Sequence, residues 1–321
     1  MRWLPENLVK ALELIPGKAN AMDVMRTIAS LLGIFEPEGP NNDQINISLR
    51  LMSVFGPALN YWHHFTKNNI RINTETDPND TIAENFLKLY HNTDKVDPLR
   101  VRTMDISLIL YAEHDFNAST FAARCTVSTM SDFYSGIVTA LGTLRGPLHG
   151  GANEAAMRLL DPIKSVEESN EVLEGKWKKK ELVMGFGHRI YKKEDPRSDI
   201  IKECSIQMSK QPYGRPTLVE VSKNIESRMI NEKKIYPNLD FYAASSYHQC
   251  GIHTYFLNLS LETSLHQFSS FRELQDGPLI LLNKGRLKSL LDQYLSILAP
   301  ILCPSLRFLK GLHCEFDLFV L

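Results

Sequence analysis

Through most of the first 250 residues apolar side chains recur every third or fourth position, and sustained alternation of apolar and polar residues is almost absent. A half-buried strand needs a period of two and a half-buried helix a period near 3.6, so the pattern predicts an all-α fold. Leu8, Val9, Leu12 and Ile15 share one helical face before Gly17. Val24, Met25, Ile28, Leu31 and Leu32 share another, with Asn20 or Asp23 as cap and an end expected before Gly33. These two segments read as short antiparallel helices. From 41 to 68 the apolar residues, Ile45 through Trp62, are too dense for one face, which predicts a longer helix buried on most sides. His63 and His64 near its end read as cations at a helix C-terminus.

Further helices are expected over 82–90, with Thr81 as cap, and over 102–114. A single helix rich in small residues is expected over 118–144, then others over 152–160, 167–180, 199–209 and 216–233. The text becomes more charged after residue 150, which suggests a smaller second domain beginning there.

The 321 residues include 36 Lys and Arg against 37 Asp and Glu, so no overall field favours nucleic acid. Five cysteines, Cys125, Cys204, Cys250, Cys303 and Cys314, are far apart and lack CxxC spacing. They read as thiols in a reducing compartment, and no metal is implied. No apolar run suits a signal peptide or a membrane span, so a soluble, intracellular protein without a membrane partner is expected. The abrupt helical start suggests that an N-terminal part of the fold is absent.

Four polar clusters interrupt the helical text. Arg145 to Glu154 presents His149 among glycines, which let backbone approach a ligand closely; taken alone, the stretch reads more readily as a loop histidine that binds nothing, and its company changes that. The others are Glu113 to Asn117 around His114, Gly185-Phe186-Gly187-His188 followed by Asp195-Pro196-Arg197, and Pro237 to Asp240. The glycines at 185 and 187 lack the preceding strand and the spacing of a dinucleotide fingerprint. Three histidines, an arginine and an aspartate at loop–helix junctions fit proton transfer at carbon better than attack by a side-chain nucleophile. A carboxylate can take a proton alpha to a carbonyl, neutral histidines can hydrogen-bond the enolate, and an arginine can hold a carboxylate.

Gly146-Pro-Leu-His-Gly-Gly-Ala-Asn153, Gly185-Phe-Gly-His188 with Asp195-Pro-Arg197, Glu113 to Thr120 and Tyr236-Pro-Asn-Leu-Asp240 resemble the motifs of citrate synthases, in consistent order from about residue 4 to about 252. Asp23-Val-Met-Arg-Thr27 is similar as well. Leu4-Pro-Glu-Asn, Tyr61-Trp-His-His64 and Tyr111-Ala-Glu-His114 look most like the 2-methylcitrate branch of that family. The resemblance implies a two-domain, all-α homodimer that joins propionyl-CoA, or acetyl-CoA, to oxaloacetate and hydrolyses the thioester. It implies no bound cofactor, coenzyme A being part of the substrate. By motif, Asp240 matches the base, His149 the donor to the enol and His188 the group on the oxaloacetate carbonyl. His114 and Arg197 match its carboxylate ligands, and Gly185, Phe186 and Gly187 a loop against the coenzyme A adenine. The implied division is 1–149 as part of the large domain, 150–252 as the small domain and 253–321 as a divergent tail. The compartment would be the cytoplasm in a bacterium and the mitochondrial matrix in a eukaryote.

After Gly251-Ile252 the resemblance is expected to stop, and with it the family's two tail arginines. Codons chosen for Arg272 to Gly285, read from the third base, spell a stretch common in the family tail. The expectation is a shifted reading frame from about residue 253. A catalytically impaired member that only binds ligand or dimerises is the alternative reading.

Overall fold

The computed structural model describes residues 2–75, 77–112, 116–146, 149–188, 191 and 193–256. Among them the chain is helical, and no strand forms; extended pairing is limited to two isolated bridges, Gly39 with Asn42 and Phe186 with Pro237. No helix among the described residues is long and apolar enough to cross a membrane. The expected tail segment from 257 onward, including Cys303 and Cys314, lies outside the described residues.

The first helices are α1 (Glu6–Leu14), α2 (Ala21–Phe35) and α3 (Gln44–Asn68). Asn20 caps α2 by accepting from the Met22 N–H, and Asp43 caps α3 by accepting from Asn46. Gly33 does not end α2. It lies inside the helix because a Cβ there would stand 3.0 Å from the Tyr134 side chain, so the glycine serves close packing rather than termination. As its composition predicts, α3 is buried on most sides, from Ile47 to His64.

His63 and His64 are not exposed terminal cations. Both are buried beneath Tyr90 and the end of the described chain, with His63 stacked on Tyr90 at 5.5 Å and edge-on to Phe256 at 4.8 Å. His64 Nε2 lies 3.0 Å from the Leu89 carbonyl. Burial, reinforced by His64, His253 and Lys67, pushes the His63 pKa down to about 4, so that ring is neutral near pH 7.

Then come α4 (Ile82–His91), capped by Thr81 as expected, and α5 (Pro98–Tyr111), capped by Asp97. The single helix expected over 118–144 is two, α6 (Ala118–Val127) and α7 (Phe133–Leu144). Between them the Ser128 and Thr129 hydroxyls donate to the Cys125 and Thr126 carbonyls, Met130 turns left-handed at φ +64°, and Asp132 caps the new helix. Side-chain competition for backbone groups breaks the helix where apolar periodicity alone does not register it.

The remainder comprises α8 (Ala152–Leu160), α9 (Val166–Lys178), α10 (Pro196–Ser209), α11 (Pro216–Arg228) running into a π-helical turn (Met229–Lys233), and α12 (Leu239–Gln249). Helix α12 is wrapped by α10, α8, α5 and α11, and nearly all its residues are buried. Its N-terminus therefore opens at a junction of α5, α8 and α10.

Candidate active site

The turn before α12 fixes the site. Asn238 caps α12, its Oδ1 accepting from the Asp240 N–H at 3.0 Å, while its Nδ2 donates to the Gly187 carbonyl at 2.9 Å. Its backbone N–H donates to Gly185 O, and the Gly187 N–H donates to Tyr236 O. Residues 185–187 are thereby zipped to 236–238, and Phe186 packs on Phe241 with ring centroids 4.5 Å apart. Gly185 and Gly187 have φ of +84° and +81°. At 185 only glycine fits, since a Cβ would lie 2.8 Å from Phe241 Cβ.

Asp240 sits in the first turn of α12. Tyr111, the last residue of α5, donates its hydroxyl to Asp240 Oδ1 at 2.6 Å. Asn153, in the first turn of α8, donates from Nδ2 to the same hydroxyl oxygen at 3.4 Å. Burial pushes the Asp240 carboxyl up; the Tyr111 bond and the Arg197 charge oppose that rise, and Asp195 adds to it. A carboxylate so held is a stronger base than one in water.

The start of α10 carries the cation. Asp195 is its cap and is buried, and Arg197 returns to it through Nε at 3.0 Å and one terminal nitrogen at 2.9 Å. The same carboxylate accepts from the Leu239 N–H at 3.1 Å, tying the α10 and α12 starts together. Burial alone would raise the Asp195 pKa, but its bonds to Arg197 and Leu239 hold it below the ordinary carboxylate value. Burial likewise works against the Arg197 charge, and Asp195 more than restores it.

His188 follows the glycine loop, with Nδ1 accepting from the Tyr191 N–H at 3.0 Å. In the neutral ring that bond leaves the proton on Nε2, a donor. Tyr191 also lies beneath the Arg197 guanidinium, 5.7 Å from ring centroid to Cζ, so one residue connects His188 with Arg197. His149 lies before α8, and its Nε2 contacts the Ser119 hydroxyl at 2.7 Å. When Ser119 donates, the neutral imidazole carries its proton on Nδ1. Burial pushes the His149 pKa down, favouring that neutral form.

Asp240 and the loop Gly185, Phe186 and Gly187 are tied together at the α12 N-terminus, Arg197 is tied to it through Asp195, and His188 is linked to Arg197 through Tyr191. His149 stands just before α8, whose Asn153 reaches the Tyr111 hydroxyl. His114 lies outside the described residues. Four partners were given no role by the sequence reading: Tyr111, Ser119, Asn153 and Asp195. All four stand inside the motifs that carry the family resemblance, and the Asp-Pro pair at 195 is in addition a helix-start signal. No cluster of three or more His, Cys, Asp or Glu suited to a metal occurs among the described residues.

The family model "Citrate synthase, C-terminal domain" matches residues 1–261. The chain belongs to the citrate synthase family.

Two relatives of the chain are named as synthases. The 2-methylcitrate synthase of Shewanella oneidensis is 48% identical over 254 residues, covering 79% of this chain and 67% of its own. Citrate synthase 2 of Bacillus subtilis is 42% identical over 234 residues, covering 72% of this chain and 62% of its own. The chain spans about two thirds of the length of these curated relatives. Among solved structures, the Thermoplasma acidophilum citrate synthase in ternary complex with carboxymethyl coenzyme A and oxaloacetate superposes with a TM-score of 0.76 at 27% identity, covering 88% of this chain and 77% of that one. The Thermotoga maritima citrate synthase gives a TM-score of 0.74 at 29% identity, with coverages of 88% and 75%. The citrate synthase match extends beyond Gly251-Ile252, where the sequence reading expected resemblance to stop. The alternative of an impaired, merely ligand-binding member gains no support from relatives named as synthases.

Proposed function

We propose that this chain condenses a short acyl-CoA with oxaloacetate and hydrolyses the resulting thioester, releasing coenzyme A. The observation that carries the reading is the enclosed Asp240 carboxylate beside the Arg197–Asp195 pair and the His188 loop. Asp240 takes the α-proton of the acyl-CoA, and His149 donates from Nδ1 to the enolate oxygen. The enolate carbon bonds to the ketone carbon of oxaloacetate, whose oxygen receives a proton from His188 Nε2. Water then cleaves the thioester. Arg197 and His114 hold oxaloacetate carboxylates, and the 185–187 loop takes the coenzyme A adenine. Neutral donors aimed at developing negative charge, in a cleft poor in water, are suited to this chemistry.

Propionyl-CoA is the preferred acyl donor in this reading, giving 2-methylcitrate, with support from the 48% identity to a 2-methylcitrate synthase. The division at residue 150 is part of the same reading, with 1–149 in a large domain and 150–252 in a small one. So is a homodimer, supported by Phe116 and Phe121 of the α6 region, whose rings meet at 6.0 Å yet remain more than half exposed. The test is thiol release from propionyl-CoA and from acetyl-CoA, each with oxaloacetate at matched concentrations. Release with a propionyl preference is expected; no release with either substrate overturns the reading, and an acetyl preference overturns the branch.

A further inference from the structure

Three helix ends that are distant in sequence meet at one carboxylate: Tyr111 closes α5, Asn153 opens α8 and Asp240 opens α12. The Tyr111 hydroxyl has a single hydrogen, and the 2.6 Å contact with Asp240 Oδ1 uses it. Whatever else touches that oxygen from Asn153 must be a donor, which fixes the amide with Nδ2 toward Tyr111 at 3.4 Å. The other amide atom, Asn153 Oδ1, is buried and accepts no hydrogen bond, and the residue is 4% exposed. A buried amide oxygen without a donor carries a cost, so the orientation is one the surroundings enforce and not one the amide would adopt for its own hydrogen bonding. Asp240 Oδ2 accepts no hydrogen bond from any described residue.

We infer that Tyr111 and Asn153 are positioning residues for the base: Tyr111 occupies Oδ1 of Asp240, Asn153 fixes the direction of the tyrosine proton, and Oδ2 is the oxygen left to receive the proton. The inference rests on the reading of Asp240 as the base that takes the α-proton. In that step the C–H bond breaks, its electron pair becomes the enolate, and the proton arrives on Oδ2. Throughout, the Tyr111 proton stays on its own oxygen and donates to Oδ1. A carboxylate with both oxygens open could rotate or accept on either edge; with one held, a single edge faces the reacting carbon.

The arrangement also bears on ionisation. Helix α12, which carries Asp240, packs against α5, α8, α10 and α11, and the charged groups that act on Asp240 are Arg197 and Asp195 from the α10 start. From α8 it is Asn153 that reaches this chain of bonds, while Glu154 pairs with Arg158. Helix α11 directs Glu226 to Tyr242 and Lys202 instead. The Tyr111 donor is therefore the neutral group that favours the ionised carboxylate, and Asn153 acts on Asp240 only through it.

The test is a titration of the Asp240 carboxyl in the full chain by 13C resonance, assigned from its loss in Asp240→Asn. Tyr111→Phe should move the midpoint upward by about one pH unit, the size expected for a hydrogen bond to a charged group. Asn153→Leu should move it upward by less, and should add nothing in the Tyr111→Phe background. An unmoved midpoint in Tyr111→Phe overturns the inference, as does an Asn153→Leu effect that persists without the tyrosine hydroxyl. Should a variant fail to melt cooperatively, the unmodified chain decides: the 13Cζ resonance of Tyr111 should titrate with the Asp240 midpoint, and an independent response overturns the proposal. Thiol release from the unmodified chain is read separately. Its absence counts against the synthase reading, while release with an unmoved carboxyl counts against the positioning residues alone.

Discussion

Asp195 holds Arg197 by two parallel bonds, at 3.0 and 2.9 Å, and with the same carboxylate accepts the Leu239 N–H one residue before Asp240. One buried side chain thus aims the site's cation and anchors the helix that carries its base. Replacing Asp195 by Asn leaves a charged arginine without its counter-ion in a site where Asp195 is only 3% exposed. Asp195→Asn should lower stability by about 2 to 3 kcal/mol and raise the KM for oxaloacetate about tenfold. The depressed folded-state pKa makes this contribution complete above the ordinary carboxylate range and lost as pH falls through the folded value. Urea midpoints between pH 3 and 7 should be flatter in the variant; an identical profile would show the pair to be inert.

Ser119→Ala removes the partner of His149 Nε2 and with it the preference for a proton on Nδ1. Turnover should fall about tenfold or more, the equivalent of one hydrogen bond in the transition state, with a small change in melting temperature. Unchanged kcat in the thiol assay would separate Ser119 from the chemistry.

Gly185→Ala forces a Cβ into Phe241 at 2.8 Å and strains a backbone at φ +84°. A loss of about 2 kcal/mol or more is expected. Gly175 in α9 is the control, because a Cβ there meets nothing within 4 Å. Gly175→Ala should stabilise by about 0.5 to 1 kcal/mol, and chemical denaturation of both variants checks the contrast.

Asp105 lies within α5 with Oδ1 buried and unpartnered and Oδ2 at 3.5 Å from the Thr81 hydroxyl. Burial pushes its pKa up to about 7. A carboxyl raised in the fold stabilises most below its unfolded pKa, and that contribution is lost as pH rises through about 7. Asp105→Asn should therefore gain on the order of 1 kcal/mol or more at pH 8 relative to its effect at pH 5. Equal differences at the two pH values would rule this out.

Phe121→Glu places charge on the exposed apolar face of α6, where Phe121 is 56% exposed. Sedimentation velocity should find a dimer for the unmodified chain and a monomer for the variant, with the same helical content by circular dichroism. A dimer in both would move the interface elsewhere.

What periodicity could reveal depended on how each helix is buried. α2 and α4 have an apolar face and a cap, so both were legible. α12 is enclosed on nearly every side by Phe241, Tyr242, Ala243, Ala244 and Tyr247, along with buried serines, so no face stands out and the segment was read only as a polar cluster at its start. The break after Val127 depends on hydroxyls bonding their own backbone, a local competition that a run of small residues conceals. The site divides similarly. Asp240, His149, His188 and Arg197 lie in glycine- and proline-marked motifs, whereas the bonds of Tyr111 to Asp240 and of Asn153 to Tyr111 join residues 129 and 42 positions apart and exist only once their helices are brought together.

The Asn238 side chain holds Gly187 with one end and the Asp240 backbone with the other. The glycine loop and the base consequently form a single mechanical unit. Reciprocity of coupled equilibria then requires that, to whatever extent a ligand pressing on that loop biases the proton affinity of the carboxylate, protonation of the carboxylate alters the grip of the loop in equal measure. A ligand with no ionisable group of its own, bound only at residues 185–187 and shifting the carboxylate's proton affinity, would bind with an affinity that varies with pH.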